Sequence, residues 1–127
     1  TGAVAIEAVS RGAAKVVALD VDADAFKTAS ANVESLKLNN VIEVKRINLK
    51  AWSNRNQLEV FDIVIADAPF DEVNDRLLEK LHKHLKPDGL YVLCLPSDFR
   101  PRLYEYLNLV SQKTYGDAQL MYFKRLA

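Results

Sequence analysis

The sequence predicts an α/β fold in which helices cover both faces of a mostly parallel sheet. Three observations carry that expectation. Short apolar runs alternate with segments of helical periodicity, the pattern of strand–helix–strand units. Two of those runs, Phe61–Ala66 and Leu90–Leu95, are nearly all apolar, as strands covered on both faces are. The last two strand-like runs, near 108–114 and 118–124, flank Tyr115-Gly116-Asp117 and read as a hairpin that adds antiparallel pairing at one edge.

In order, residues 3–11 read as a helix stopped at Gly12. Lys15–Asp20 is a short valine-containing strand ended by an acid. Asp22 to Lys37 is a second helix with Phe26, Ala29, Val33 and Leu36 on one face and Asp22 or Asp24 as its cap. Asn39-Asn40 makes a turn into the alternating strand Val41–Ile47. Residues 49–58 form a short helix and loop before the strand Phe61–Ala66, which ends at Asp67-Ala68-Pro69. Residues 72–85 form a helix with Leu77, Leu78, Leu81 and Leu85 inward, stopped by the tight turn Lys86-Pro87-Asp88-Gly89. Leu90–Leu95 is a buried strand, and Phe99–Leu107 is helical. An alternating fold that opens on a helix lacks the strand feeding that helix. Crossover handedness places such a strand centrally, beside Lys15–Asp20. The expectation is therefore a sheet interrupted at its centre, with Thr1 lying inside a longer protein.

The length of 127 residues fits one domain spanning 1–127. Half of the residues are hydrophobic and 27% are charged, as in an ordinary soluble domain. No apolar run approaches the ~18 residues of a membrane span. Cys94 is the one cysteine; it sits in an apolar run and reads as a strand residue in a reducing, cytoplasmic compartment. The formal net charge of zero argues against a purely electrostatic nucleic-acid binder. His82 and His84, two apart on a helix, face different ways, so no metal site is expected.

Open α/β sheets bind ligands beyond the carboxyl ends of their strands, and those ends are polar here. Thr1-Gly2 opens the first helix, where a glycine admits a ligand to the backbone or simply makes a tight turn. Asp20 ends a strand where a carboxylate can accept from two ribose hydroxyls. Asn48 offers a donor and an acceptor to an adenine edge, or is an ordinary turn residue. Asp67-Ala68-Pro69-Phe70 brings together a carboxylate, a rigid turn and an aromatic ring. The carboxylate and a backbone carbonyl can accept both hydrogens of an exocyclic amine, and the ring can stack on a flipped base. The plainer alternative is a strand-ending loop with a core phenylalanine.

In this order, these residues resemble the class I methyltransferases, and more closely the family that methylates the guanine N2 amine in small-subunit ribosomal RNA. Thr1–Ala13 is similar to that family's glycine-loop helix, G-T/S-G-A-L-G-I-E-A-L-S-R-G-A, and Phe61–Phe70 to its F-D-I-V-F-x-D-P-P-F/Y motif. Tyr115-Gly116-Asp117 also looks familial. The resemblance implies a Rossmann-like fold, S-adenosylmethionine as cofactor, ribosomal RNA or a ribosomal subunit precursor as partner, and a monomer. It implies cofactor contacts at Thr1, Gly2, Asp20 and Asn48 and an acceptor site at Asp67, Ala68, Pro69 and Phe70. Three departures stand out. The first strand with its leading glycines and basic segment is absent, Ala68 replaces a proline, and Asn48 stands where aspartate is common. Ala68 keeps its carbonyl acceptor and gives up rigidity. Two other readings use the same residues: a methyltransferase acting on adenine N6 or a protein amide, and a degenerate domain that binds without catalysis.

Overall fold

A computed structural model of the chain describes residues 2–67, 80–99 and 106–126. The elements run α1 (Ala3–Ser10), β1 (Val16–Asp20), α2 (Ala23–Ser35), β2 (Ile42–Arg46), α3 (Leu49–Arg55), β3 (Phe61–Asp67), a single 3₁₀ turn (Leu81–His84), β4 (Leu85–Pro96), β5 (Leu107–Tyr115) and β6 (Ala118–Arg125). The contacts gather them into two units, Thr1–Arg55 and Asn56–Ala127.

In the first unit the helix ends are set by local chemistry. Gly12 stands just past α1 at φ 107°, and its N–H donates to Val9 O while that of Ala13 donates to Ala8 O. These are the paired bonds of a Schellman stop, which needs a left-handed residue. Asp22 caps α2, its carboxylate accepting from Ala25 N at 2.8 Å. The same helix ends in a second Schellman stop with Lys37 at φ 57°, where Lys37 N donates to Glu34 O and Leu38 N to Val33 O. This stop alters the expected core face. Leu36 is 54% exposed, and Leu38 packs in its place against the cluster of Ala5, Val33 and Ile42. A left-handed residue between them swings the chain, so Leu38 points inward and Leu36 does not. Strands β1 and β2 pair in parallel from Val16↔Ile42 to Asp20↔Arg46.

The second unit is a four-stranded sheet in the order β3-β4-β6-β5. β3 and β4 are parallel, and β6 runs antiparallel to both β4 and β5. Its buried face is built by Tyr91, Leu93 and Leu95 of β4 with Met121 and Phe123 of β6. The α/β architecture and the C-terminal antiparallel hairpin agree with expectation, and Gly116 takes φ 58° in the hairpin turn. The described strands pair in two sheets, as an interrupted sheet would. Each of β1 and β3 has one edge without a strand partner among the described residues. β3 is also less buried than its apolar sequence predicts, with Ile63 and Ile65, on one face of the strand, about half exposed.

Other boundaries shift as well. Leu85 is fully buried but opens β4 rather than closing a helix, and the preceding turn is 3₁₀. The pairing passes from Phe61↔Leu85 to Ile63↔Leu90, so Lys86–Gly89 bulge out of the ladder with Asp88 at φ 64°. The expected tight turn is thus an excursion inside a strand. Leu107 begins β5 instead of ending a helix, and Cys94 is half-buried. Leu77, Leu78 and most of the expected helices over 72–85 and 99–107 lie outside the described residues. Among the described residues no helix is long and apolar enough to cross a membrane.

Candidate active site

The expected site residues fall in both units and are taken unit by unit. In the first, Gly2 caps α1 with left-handed φ 78° and ψ 9°, and its carbonyl accepts from Ile6 N at 2.9 Å. A Cβ added there would lie 3.4 Å from Ala29 Cβ, so the backbone angle, not crowding, favours glycine. Thr1 lies outside the described residues.

Asp20 ends β1 with its side chain exposed. Its Oδ1 accepts from Asp22 N at 3.0 Å, and its carbonyl accepts from Ile47 N at 3.0 Å. The first bond fixes the carboxylate's direction, while Asp22 and not Asp20 caps the helix. Asp20 therefore remains a solvent-facing acceptor whose second oxygen can take a hydroxyl, the chemistry a ribose diol requires.

Asn48 follows β2 and caps α3, its Oδ1 accepting from Ala51 N at 2.8 Å and its carbonyl from Trp52 N at 3.0 Å. The two-way reading of an adenine edge is thereby narrowed. The oxygen is engaged by the helix, and the amide N–H groups are what Asn48 can present to a ligand. As an anchor it also holds α3, which buries Trp52 and Ser53.

In the second unit Asp67 is the last residue of β3 and pairs with Cys94 of β4. The strands are parallel, so Asp67 stands at the carboxyl edge of this sheet, the edge open α/β sheets use for ligands. Ala68, Pro69 and Phe70 lie outside the described residues.

Sequence reasoning missed a polar residue at that same edge. Gln119 of β6 is 1% exposed, yet it continues the apolar face of Met121 and Phe123. Its Nε2 donates to Pro96 O at 2.8 Å and Phe99 O at 2.7 Å, and its Oε1 accepts from Gln112 Nε2 at 2.7 Å. The available signal was the amide itself, the one polar residue among the buried positions of β6.

The fold is that of the class I, Rossmann-like methyltransferases. A Haemophilus influenzae protein solved as a candidate methylase superposes with a TM-score of 0.88 at 26% identity, covering 99% of this chain and 81% of its own. The chain belongs to the family described as Conserved hypothetical protein 95, whose model matches residues 1–124. Among curated relatives, the Bacteroides fragilis tRNA1(Val) (adenine(37)-N6)-methyltransferase is 24% identical over 140 residues, covering 95% of this chain. The Buchnera aphidicola ribosomal RNA small subunit methyltransferase D is 32% identical over 72 residues, covering 57% of this chain. The matches span 58% and 37% of those relatives' own lengths.

Proposed function

We propose that the protein transfers a methyl group from S-adenosylmethionine to RNA, and that its acceptor is the exocyclic N2 amine of a guanine in small-subunit ribosomal RNA. The observation that carries this reading is Asp67, which opens the Asp-Ala-Pro-Phe motif at the carboxyl edge of a parallel β3–β4 pair. The name of the ribosomal RNA relative supports the substrate class.

The donor groups suit the cofactor. Asp20 holds the ribose through its exposed carboxylate, Gly2 keeps the entrance to α1 free of a side chain, and the Asn48 amide donates to the adenine edge. When bound, the cofactor supplies a methyl group already activated on a sulfonium, so the protein's task is orientation. On the acceptor side, Asp67 and the carbonyl of Ala68 accept the two hydrogens of the amine. Those two bonds fix the nitrogen's orientation and leave its lone pair directed along the line of attack. Phe70 stacks on the flipped base.

Adenine N6 is the second reading, favoured by the name of the Bacteroides relative. Its amine also carries two hydrogens, so the same acceptors serve either base. Asp67→Ala tests the shared mechanism. The variant is expected to bind S-adenosylhomocysteine like the wild type and to transfer no methyl to RNA. A fully active variant sinks the assignment.

A further inference from the structure

Gln119 has a chemical cost that the fold alone does not explain. A buried amide at a core position of a strand loses stability unless its hydrogen bonds are made. Its flanking inward positions, Met121 and Phe123, show that an apolar side chain suits this face. Here both amide hydrogens are used, and both go to one short segment, Pro96 O and Phe99 O. The oxygen is held by Gln112 of the neighbouring strand, which fixes the orientation of the amide. Two backbone bonds close the same segment: Ser97 N donates to Asp117 O at 2.8 Å and Phe99 N to Pro96 O at 3.0 Å.

The place of that segment gives the clamp its meaning. β4 runs parallel to β3, and Cys94 pairs with Asp67. Pro96 lies two residues further along β4, so the turn 96–99 leaves the sheet at the edge where Asp67 stands. Ser97 and Asp98 thus follow β4 at that edge of the sheet, with Asp98 exposed.

We propose that Gln119 is a positioning residue of the acceptor site, locking the Pro96–Phe99 turn beside Asp67 so that this turn forms a fixed polar wall for the incoming RNA base. Gln119 touches no substrate itself; it acts through the turn. The inference rests on the RNA-methyltransferase reading for the identity of the acceptor, but the clamp can be tested apart from it.

The test compares Gln119→Met, which keeps the shape and removes both donors, with Gln112→Ala, which leaves the donors and removes only their anchor. Both are made in the full-length protein. Hydrogen exchange at the Phe99 amide is expected to rise about tenfold in Gln119→Met, as loss of the paired carbonyl bonds implies, and less in Gln112→Ala, while Tyr91–Leu93 stay protected. The KM for RNA is expected to rise about ten- to a hundredfold in Gln119→Met, with S-adenosylhomocysteine affinity held near the wild-type value. Unchanged exchange at Phe99 overturns the clamp. Unchanged KM with faster exchange, or equal losses in RNA and cofactor binding, overturns the positioning role. If Gln119→Met does not fold, Gln112→Ala decides by the same pair of readouts. Wild-type protein that binds S-adenosylhomocysteine and methylates no RNA defeats the functional reading instead, and the Phe99 exchange then still judges the clamp.

Discussion

Gly89 is where a single methyl group should do measurable damage. It closes the Lys86–Gly89 excursion in β4, just before the register with β3 resumes at Ile63↔Leu90. A Cβ built there falls 2.7 Å from Lys86 O, 3.0 Å from Leu85 Cδ2 and 3.1 Å from Asp62 O. Two of those atoms are backbone, and Leu85 is fully buried, so the clash has no cheap relief. Overpacking of this kind costs about 1–3 kcal/mol. Gly→Ala returns about 0.4–1 kcal/mol by restricting the unfolded chain. The difference leaves Gly89→Ala destabilised by about 1–2 kcal/mol. With a urea m-value of about 1–3 kcal/mol/M, the midpoint should fall by about 0.3–2 M at unchanged m. Gly116 supplies the control, because nothing lies within 4 Å of its added Cβ and its φ of 58° is the only obstacle. Asparagine tolerates left-handed backbone, so Gly116→Asn should stay near wild type while Gly89→Asn is worse than Gly89→Ala. An unchanged midpoint for Gly89→Ala refutes the steric argument.

Removing the α2 cap with Asp22→Ala should lower stability by about 1 kcal/mol in a denaturation curve. It should leave cofactor affinity intact, because Asp20 is held by the Asp22 backbone N–H and not by its side chain. Asp20→Ala should do the reverse: S-adenosylhomocysteine affinity measured by calorimetry falls about tenfold or more, the order expected for a lost hydrogen bond to a charged group. His82 stacks on Tyr106 with ring centroids 5.3 Å apart, and burial, reinforced by Arg125 and Lys83, holds its pKa below the ordinary 6.5. The unfolded chain then takes up the proton first as pH falls. The stability from neutral His82 is full above 6.5 and is lost as pH drops toward the folded value. A melting temperature followed from pH 8 to 5 should decline across that window, at the lower edge of the range about pH 5–8 where proteins are usually most stable, and less steeply in His82→Gln.

Much of this architecture is legible in sequence because its signals are local. Gly12 marks a helix stop, Asp22 marks a cap, and Gly116-Asp117 marks a hairpin; each acts within a few residues of itself. The strand-end residues Asp20 and Asp67 follow from the apolar runs that precede them. What the pattern does not reveal depends on partners distant in sequence or on uncommon backbone angles. Leu36 fits the helical period, but left-handed Lys37 hands its core position to Leu38. Leu85 and Leu107 look helical by spacing, yet pairing with Phe61 and Arg125 draws them into strands. The Asn48 amide oxygen looks open to a ligand until the N–H of Ala51, which it caps, is in place. The role of Gln119 rests on the carbonyls of Pro96 and Phe99, 20–23 residues away, which no local spacing brings beside it.

The most direct test of the account is to incubate the full-length protein with methyl-labelled S-adenosylmethionine and small ribosomal subunit RNA, digest the RNA to nucleosides and identify the labelled one by mass spectrometry. The account predicts N2-methylguanosine, formed by the wild type and absent with Asp67→Ala. Label in N6-methyladenosine or in ribosomal protein, or no transfer by a protein that binds the cofactor, would contradict it.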